Sequence, residues 1–380
     1  MERSKIFILG LLFMALIMPM YECGCDFPAI YNFGDSTSDT GAIHFTFPYN
    51  MLAENPPYGQ TYFGKPAYRY SDGRLSIDFF AKALGLPFLS PYLQSVASNF
   101  GHGANFAAAG ATARDTSFIA PISLTVQINQ FKIFKQQVLD GIQIHGNLSF
   151  LPTAETFKTG IYILEIGGND FSYGYMNLKL NTSEVKNLIL PRVARAVAGA
   201  VQGLYSEGAR TILVKDVGPQ GCEAFWLTYF PHSSNDFDEH GCSVSYNDAV
   251  QFYNRILKAQ LSALRKQLPD AAIVYVNTYD IVYDFFANPS KYGFEFTTRA
   301  CCGVGGKYNY DYAVQCGSKG TINGQNVSAV SCSNPASYVS WDGVHWTDNA
   351  NKILTQQILG GNFFDPANFS IASRCDLQPL

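Results

Sequence analysis

The chain has 380 residues, of which 47% are hydrophobic and 15% are charged. Soluble domains average about 25% charged residues, so the chain is poor in charge, yet it is far too apolar to be disordered. A net charge of −4 provides no basic surface, which excludes an electrostatic nucleic-acid binder. Length alone would suit two or three domains.

The N-terminal segment has the pattern of a secretory signal peptide. Arg3 and Lys5 precede an uninterrupted apolar run over residues 6–20. This run is shorter than the roughly 20 residues that span a bilayer, and its flanks are typical of a cleaved signal, with an uncleaved anchor as the alternative. We predict a signal over residues 1–25, cleaved after the triplet Cys23-Gly24-Cys25. The mature chain would be secreted or vacuolar, without stable membrane insertion.

Cysteines are numerous for a chain of this size, with nine in all. An oxidising compartment favours disulfides. No C-x-x-C pattern occurs, so we predict no metal site. We expect Cys222 and Cys242 to close a local loop and four further cysteines to form two bridges of open connectivity. Those four are Cys301, Cys302, Cys316 and Cys332. If Cys23 and Cys25 leave with the signal, Cys375 stays unpaired.

Four N-x-[ST] sequons are candidate glycosylation sites in a secreted chain. They begin at Asn147, Asn181, Asn326 and Asn368. Sequons are common by chance, so their support for secretion is weak.

Strand-like runs alternate with helical patterns along the mature chain. The strand-like runs cover residues 29–33, 161–166, 211–214 and 272–276, and the helical patterns residues 183–205 and 245–268. Strands separated by helices favour an α/β fold, with a parallel sheet covered on both faces. In such folds the loops after the strands carry the site. The first two runs end in Gly, Asp, Ser and Asn, so we expect the site there.

We predict a single domain over residues 26–380, because the sequence has no linker, repeat or low-complexity stretch. Its longest irregular section, residues 293–339, holds four of the cysteines. Loops of this length are uncommon unless they are functional or held by cross-links. Disulfides would hold this one.

Ser36 follows the first strand-like run, within Gly34-Asp35-Ser36. The sequence has no G-x-S-x-G nucleophile elbow, which leaves this serine as the candidate nucleophile. If it opens a helix, its backbone N–H points into the cleft and can stabilise a developing oxyanion. An N-cap or turn is the alternative, because Asp and Ser are preferred there.

Asp342 and His345 lie three residues apart, in a loop before the last predicted helix. His345 would serve as a general base, with Asp342 orienting its ring and stabilising the protonated form. A chance D-x-x-H pattern is the alternative.

Taken together, these segments resemble the plant branch of the GDSL, or SGNH hydrolase, family of esterases and lipases. The family's first block is matched by residues 34–36, with Thr37 in place of the usual Leu. The second block is matched within residues 103–111 and the third, G-x-N-D, by residues 167–170. The last block is the D-x-x-H pattern already described. Residues 55–59 (NPPYG) and 71–74 (SDGR) also look like plant-branch landmarks.

The resemblance implies a flavodoxin-like, three-layer αβα sandwich with a central, mainly parallel sheet. It implies Ser36 as nucleophile, with Asp342 and His345 completing a triad, and no cofactor. The oxyanion hole would consist of the N–H groups of Ser36 and Gly110 and the amide of Asn169. The substrate would be a plant metabolite, cell-wall or lipid ester, and the enzyme a monomer.

An acyltransferase with the same acyl-enzyme is the alternative function, because these residues would serve both reactions. The chain departs from the family pattern in having Trp346 after the candidate base, where Pro is common. Trp341 precedes Asp342, so two indoles flank the D-x-x-H pattern. We expect these rings either to form a wall that favours flat or phenolic groups, such as hydroxycinnamoyl, or simply to pack.

Overall fold

The structure is a computed structural model that describes residues 24–48, 51–116, 118–119 and 121–380. The predicted signal peptide lies outside the described residues except for Gly24 and Cys25. The strands are β1 Ile30–Gly34, β2 Gly103–Asn105, β3 Ile161–Glu165, β4 Thr211–Lys215, β5 Ala272–Val276, β6 Lys319–Ile322, β7 Gln325–Ser328 and β8 Phe364–Asp365.

Helices separate most of these strands. The α-helices are α1 Ala42–Thr46, α2 Ser76–Ala83, α3 Leu124–His145, α4 Thr156–Thr159, α5 Gly168–Ser172, α6 Thr182–Glu184, α7 Leu190–Ser206, α8 Ala224–Tyr229, α9 Val244–Gln267, α10 Thr278–Ala287, α11 Pro289–Tyr292 and α12 Asp348–Leu359. Short 3₁₀ turns occur at Leu52–Glu54, Gln220–Cys222 and Pro335–Ser337, and π-helical turns at Tyr173–Asn177 and Val185–Ile189.

The main sheet has six strands in the order β2-β1-β3-β4-β5-β8. The first five are parallel, and β8 pairs antiparallel with β5. Strands β6 and β7 form a separate hairpin. The predicted, mainly parallel α/β sheet is therefore confirmed, and each of the four strand-like runs corresponds to a strand within one residue at either end.

Helices cover both faces of the sheet because its strands are apolar on both sides. On β1, Tyr31 and Phe33 belong to the core under α3, α7 and α9, whereas Ile30 belongs to the core under α2, α10 and α12. Successive side chains of a strand point to opposite faces. The result is the three-layer sandwich expected from the sequence.

Helix α9 shows how local sequence sets these elements. The Ser243 side chain accepts a hydrogen bond from the N–H of Tyr246 and caps the helix. Val250, Leu257 and Leu261 lie on one face and are buried against the sheet. Burying each such side chain contributes about 1.5–3 kcal/mol. The predicted helix at 245–268 is thus confirmed, and the pattern at 183–205 corresponds to α6, a π-helical turn and α7, which follow one another directly along the chain.

Disulfides settle the pairing that the sequence left open. Cys222 pairs with Cys242, as expected. Two further bridges, Cys301–Cys332 and Cys302–Cys316, hold the irregular section after α11. That section also contains the β6–β7 hairpin.

The prediction that Cys375 is unpaired is wrong, because Cys375 forms a disulfide with Cys25. The two ends of the described chain meet here, with the N–H of Asp26 donating to the carbonyl of Arg374 at 2.9 Å. A mature chain that began at Asp26 would lack this bond. The error came from assigning Cys25 to the signal peptide.

The described surface bears on two further expectations. Across the described ranges, no helix combines the length and the apolar character that a membrane span requires. The four sequon asparagines are all exposed, so a glycan could be attached at each without disturbing the core.

Candidate active site

A cavity of about 570 Å³ lies at the carboxyl edge of the parallel sheet. Ser36 reaches it from the loop after β1, Gly110 from the loop after β2, and Asn169 from the start of α5. Asp342 and His345 enter from the loop that precedes α12. The fold thus brings together five residues that are up to 309 positions apart in the sequence.

His345 forms the centre of a continuous hydrogen-bonded chain. Its Nε2 lies 2.8 Å from Oγ of Ser36, and its Nδ1 lies 2.7 Å from Oδ2 of Asp342. The other carboxylate oxygen, Oδ1, accepts the backbone N–H groups of Val344 and His345 at 3.0 and 2.9 Å. These two bonds fold the loop back on itself, which places Asp and His side by side.

Asp342 is buried, with 7% of its surface exposed. Burial on its own raises the pKa of this carboxyl group, but the facing His345 ring and the two backbone N–H groups hold the pKa below its ordinary value. The carboxylate therefore stays ionised and can stabilise a positive charge on the ring.

Tyr58 is a site residue that sequence reasoning missed. Its buried hydroxyl donates to Oδ2 of Asp342 at 2.9 Å. Tyr58 belongs to the NPPYG landmark at residues 55–59, which was noted without a role. The ring of Tyr70 lies 5.0 Å from the ring of His345 and covers another side of it.

Ser36 lies in a tight turn and does not open a helix. The N–H of Ser38 donates to the carbonyl of Asp35 at 3.1 Å, and α1 begins only at Ala42. The turn alternative therefore describes this backbone. Among the described residues, none accepts a hydrogen bond from the N–H of Ser36.

Asp39 fixes the loop that carries Gly110. Its buried carboxylate accepts the N–H of Gly41 at 2.7 Å and the N–H of Ala109 at 2.8 Å. Gly110 has φ +77°, and a Cβ there would lie 2.4 Å from Cβ of Ile119. Glycine is therefore required. In the part of the chain that the structure describes, its N–H has no acceptor.

Asn169 and Asp170 connect the third sequence block to the second. Nδ2 of Asn169 donates to the carbonyl of Ala111 at 2.9 Å. The buried Asp170 accepts the N–H of Ala113 at 2.7 Å and pairs with Nε of Arg114 at 2.9 Å. Burial raises the pKa of Asp170 to about 6, although Arg114 opposes the shift. These contacts fix the Asn169 amide beside the loop of Gly110.

The two tryptophans have different positions. Trp346 lines the cavity. Trp341 does not line it, so of the two alternatives for this ring the structure shows packing, and any wall would depend on Trp346. The side chain of Trp341 is fully buried in a core cluster with Tyr58 and three disulfide-bonded cysteines. The physical reason is that the loop reverses at Asp342, which sends the preceding side chain into the core.

The described residues do not include a cluster of side chains suited to binding a metal ion. Within residues 24–48, 51–116, 118–119 and 121–380, no group of three or more His, Cys, Asp or Glu side chains could hold one.

Comparison with known proteins provides a second line of evidence about this site, from sequence similarity. The model of the family described as GDSL-like Lipase/Acylhydrolase matches residues 30–358, a range that contains the five residues predicted for the triad and the oxyanion hole. A GDSL esterase/lipase of Arabidopsis thaliana is 42% identical over 373 residues, which cover 96% of each chain. An esterase of Hevea brasiliensis is 42% identical over 376 residues, covering 96% of this chain and 93% of that protein. An Arabidopsis thaliana protein named alpha-L-fucosidase 3 is 40% identical over 368 residues, covering 94% and 96%.

Proposed function

Because this chain belongs to the GDSL-like lipase/acylhydrolase family, we propose that it is a hydrolase that cleaves carboxylic esters through an acyl-enzyme on Ser36. The observation that carries the proposal is the hydrogen-bonded chain from Ser36 through His345 to Asp342. A nucleophile next to a base, with the base held by a carboxylate, is the arrangement that activates a serine hydroxyl.

Acylation begins when Oγ of Ser36 attacks the ester carbonyl. Nε2 of His345 takes the hydroxyl proton at 2.8 Å, and the new positive charge on the ring faces the ionised Asp342. The tetrahedral intermediate collapses as His345 returns that proton to the leaving alkoxide, which departs as the alcohol.

The negative charge that develops on the carbonyl oxygen needs hydrogen-bond donors. The N–H groups of Ser36 and Gly110 fit this role, because no described residue accepts from either. The Asn169 amide has two N–H bonds and uses one on Ala111, so the other remains for the oxyanion. Donors that are fixed in advance stabilise the transition state without reorganisation.

Deacylation repeats these steps with water. His345 takes a proton from the water, the hydroxide attacks the acyl-enzyme, and the proton goes to Oγ of Ser36 as the acid leaves. The products are one carboxylic acid and one alcohol, and the residues named suffice for every proton transfer.

Acyl transfer to an alcohol is a second candidate reaction, in which the acceptor alcohol replaces water. It is favoured by the surroundings of His345, whose side chain is 12% exposed and is covered by Tyr70. Trp346 lines the same cavity, so the acyl-enzyme would form in partly apolar surroundings that limit the access of water.

We also propose a setting for this reaction. We expect a monomeric enzyme that enters the secretory pathway and acts on a small plant metabolite, cell-wall or lipid ester. Four disulfides support an oxidising compartment. The exposed sequon asparagines are compatible with it.

A panel of acetyl, fatty-acyl and hydroxycinnamoyl esters, with and without acceptor alcohols, tests the proposal. Free acid alone indicates hydrolysis, and a new ester that forms only with acceptor indicates transfer. Ser36→Ala should abolish both, whereas Ser206→Ala, at an exposed position outside the cavity and the sequons, should change neither. Full turnover in Ser36→Ala would contradict the assignment of the nucleophile.

A further inference from the structure

Glu223 is a buried acid that the proposed mechanism does not use. Its side chain lines the active-site cavity, and only 6% of the residue is exposed. Within the described ranges it forms no ion pair. Glutamates are rarely buried without a partner, because the charged form loses its hydration. A buried acid without an ion-pair partner in this cavity therefore points to a role in binding or catalysis.

Backbone contacts hold Glu223 beside the loop of the proposed triad. Glu223 directly follows Cys222, whose disulfide with Cys242 anchors the preceding turn. Two residues later, the N–H of Phe225 donates to the carbonyl of Gly343 at 3.0 Å. Gly343 is next to Asp342. The segment is thus fixed on both sides, and Glu223 lines the cavity from it.

The surroundings of Glu223 favour its uncharged form. Burial raises the pKa of this carboxyl group well above its ordinary value, and the negative charges of Asp342 and Asp35 raise it further. The side chain of Trp226 hydrogen bonds to the carboxyl group and opposes the shift only in part. A neutral carboxylic acid has one O–H donor in addition to acceptor oxygens. It can therefore exchange two hydrogen bonds with a hydroxyl group.

We infer that Glu223 is a specificity-determining residue that binds a hydroxyl group on the acyl or alcohol part of the ester substrate. The inference rests on the proposed function, since it assigns a polar subsite within the same cavity. Trp226 also lines the cavity, next to this carboxyl group. A substrate without the hydroxyl would leave the O–H donor of the buried acid without an acceptor, so the enzyme would bind the transition state of that substrate less tightly.

The experiment compares matched esters that differ only in one hydroxyl group. Suitable pairs are para-hydroxyphenylpropanoyl and phenylpropanoyl esters, ω-hydroxyacyl and acyl esters of increasing chain length, and acetates of diols and simple alcohols. The measured quantity is the ratio of kcat/KM within each pair. At least one pair should favour the hydroxylated member by about tenfold, which corresponds to one well-formed hydrogen bond of ~1.4 kcal/mol.

Two variants separate the chemistry of Glu223 from its packing. Glu223→Gln keeps a donor and an acceptor without a charge, so the ratio should persist. Glu223→Met removes the donor and the acceptor, so it should bring the ratio of kcat/KM within a pair close to one. Glu155→Met, at an exposed position, is the control and should leave this ratio unchanged. Because the ratio is internal to each protein sample, it does not depend on how much of a variant folds.

The inference is overturned if no pair shows a preference, if Glu223→Met retains the preference, or if Glu223→Gln loses it. Failure of the proposed function has a different signature. In that case Ser36→Ala would still turn over both members of a pair.

Discussion

The hydroxyl group of Tyr58 donates to Oδ2 of Asp342 at 2.9 Å, and the same carboxylate oxygen lies 2.7 Å from Nδ1 of His345. The two partners are 284 residues apart in the sequence, so only the fold can bring them together. Oδ1 of Asp342 accepts two backbone N–H groups from its own loop. The carboxylate is therefore held by Tyr58, by the ring of His345 and by this loop. Tyr58 is thus a positioning residue for the proposed triad.

Tyr58→Phe should lower kcat about tenfold with little change in KM. The lost hydrogen bond to the charged carboxylate contributes about 1.5–3 kcal/mol, and part of this energy stabilises the transition state. Steady-state kinetics on one good ester substrate provides the measurement. Tyr162→Phe is the matched control, since Tyr162 is also buried and its hydroxyl donates to the carbonyl of Phe157. The control should lose stability without this loss of kcat. An unchanged kcat in Tyr58→Phe would remove Tyr58 from the proposed mechanism.

Asn169→Ala should lower kcat about 100- to 1000-fold, the usual effect of deleting one oxyanion donor. The loss should appear in kcat more than in KM, because the donor acts mainly on the transition state. Asn349→Ala is the control, since its amide also donates to a backbone carbonyl, that of Ala336, and Asn349 is a partly buried residue that does not line the cavity. Equal rates for the two variants would contradict the role of Asn169.

The buried Asp216 should make stability depend on pH. Burial raises its pKa from 3.8 to about 7, so the folded state binds a proton that the unfolded state releases above about pH 4. Stability from this group is therefore present at low pH and is lost as the pH rises from about 4 to about 7. In the Asp216→Asn variant, the side-chain amide oxygen can still accept the N–H of Tyr279. The amide does not bind or release a proton in this pH range, so the pH dependence due to this position is removed.

Thermal unfolding of the wild type and Asp216→Asn across this pH range measures the effect. The midpoint of the variant should rise relative to that of the wild type as the pH increases. Asp140→Asn, at an exposed position on α3, is the control and should show a constant offset. A constant offset for Asp216→Asn as well would show that this carboxyl group does not titrate in the window.

Much of the fold could be predicted because its signals are local. The runs that became β1, β3, β4 and β5 each include at least three consecutive apolar residues, and helix α9 has a clear polar face. Strands β2 and β8 have three and two residues, which is too short for a periodic pattern. Their positions depend on neighbouring strands and were not predicted.

The residues of the candidate site also fall into two groups, those that short motifs predict and those that only the fold reveals. Ser36, Asn169, Asp342 and His345 stand in short motifs that can be found by reading along the chain. The contacts of Tyr58 with Asp342 and of Asp39 with Ala109 join distant segments, and composition or spacing provides no signal for them. Glu223 was missed because a single glutamate becomes unusual only when its burial is known.

The bond between Cys25 and Cys375 closes a loop with a sequence separation of 350, and it should stabilise the mature protein. Removing a disulfide usually costs about 2–5 kcal/mol, mainly because the unfolded chain gains freedom. Cys375→Ser should therefore lower the unfolding midpoint, with kcat/KM unchanged at a temperature where the variant is folded, because the bond is remote from the cavity. Cys25→Ser should give the same shift, and the double variant should add nothing. N-terminal sequencing of the secreted protein should find Cys25 retained. A mature chain that starts at Asp26 would show that the bond does not form.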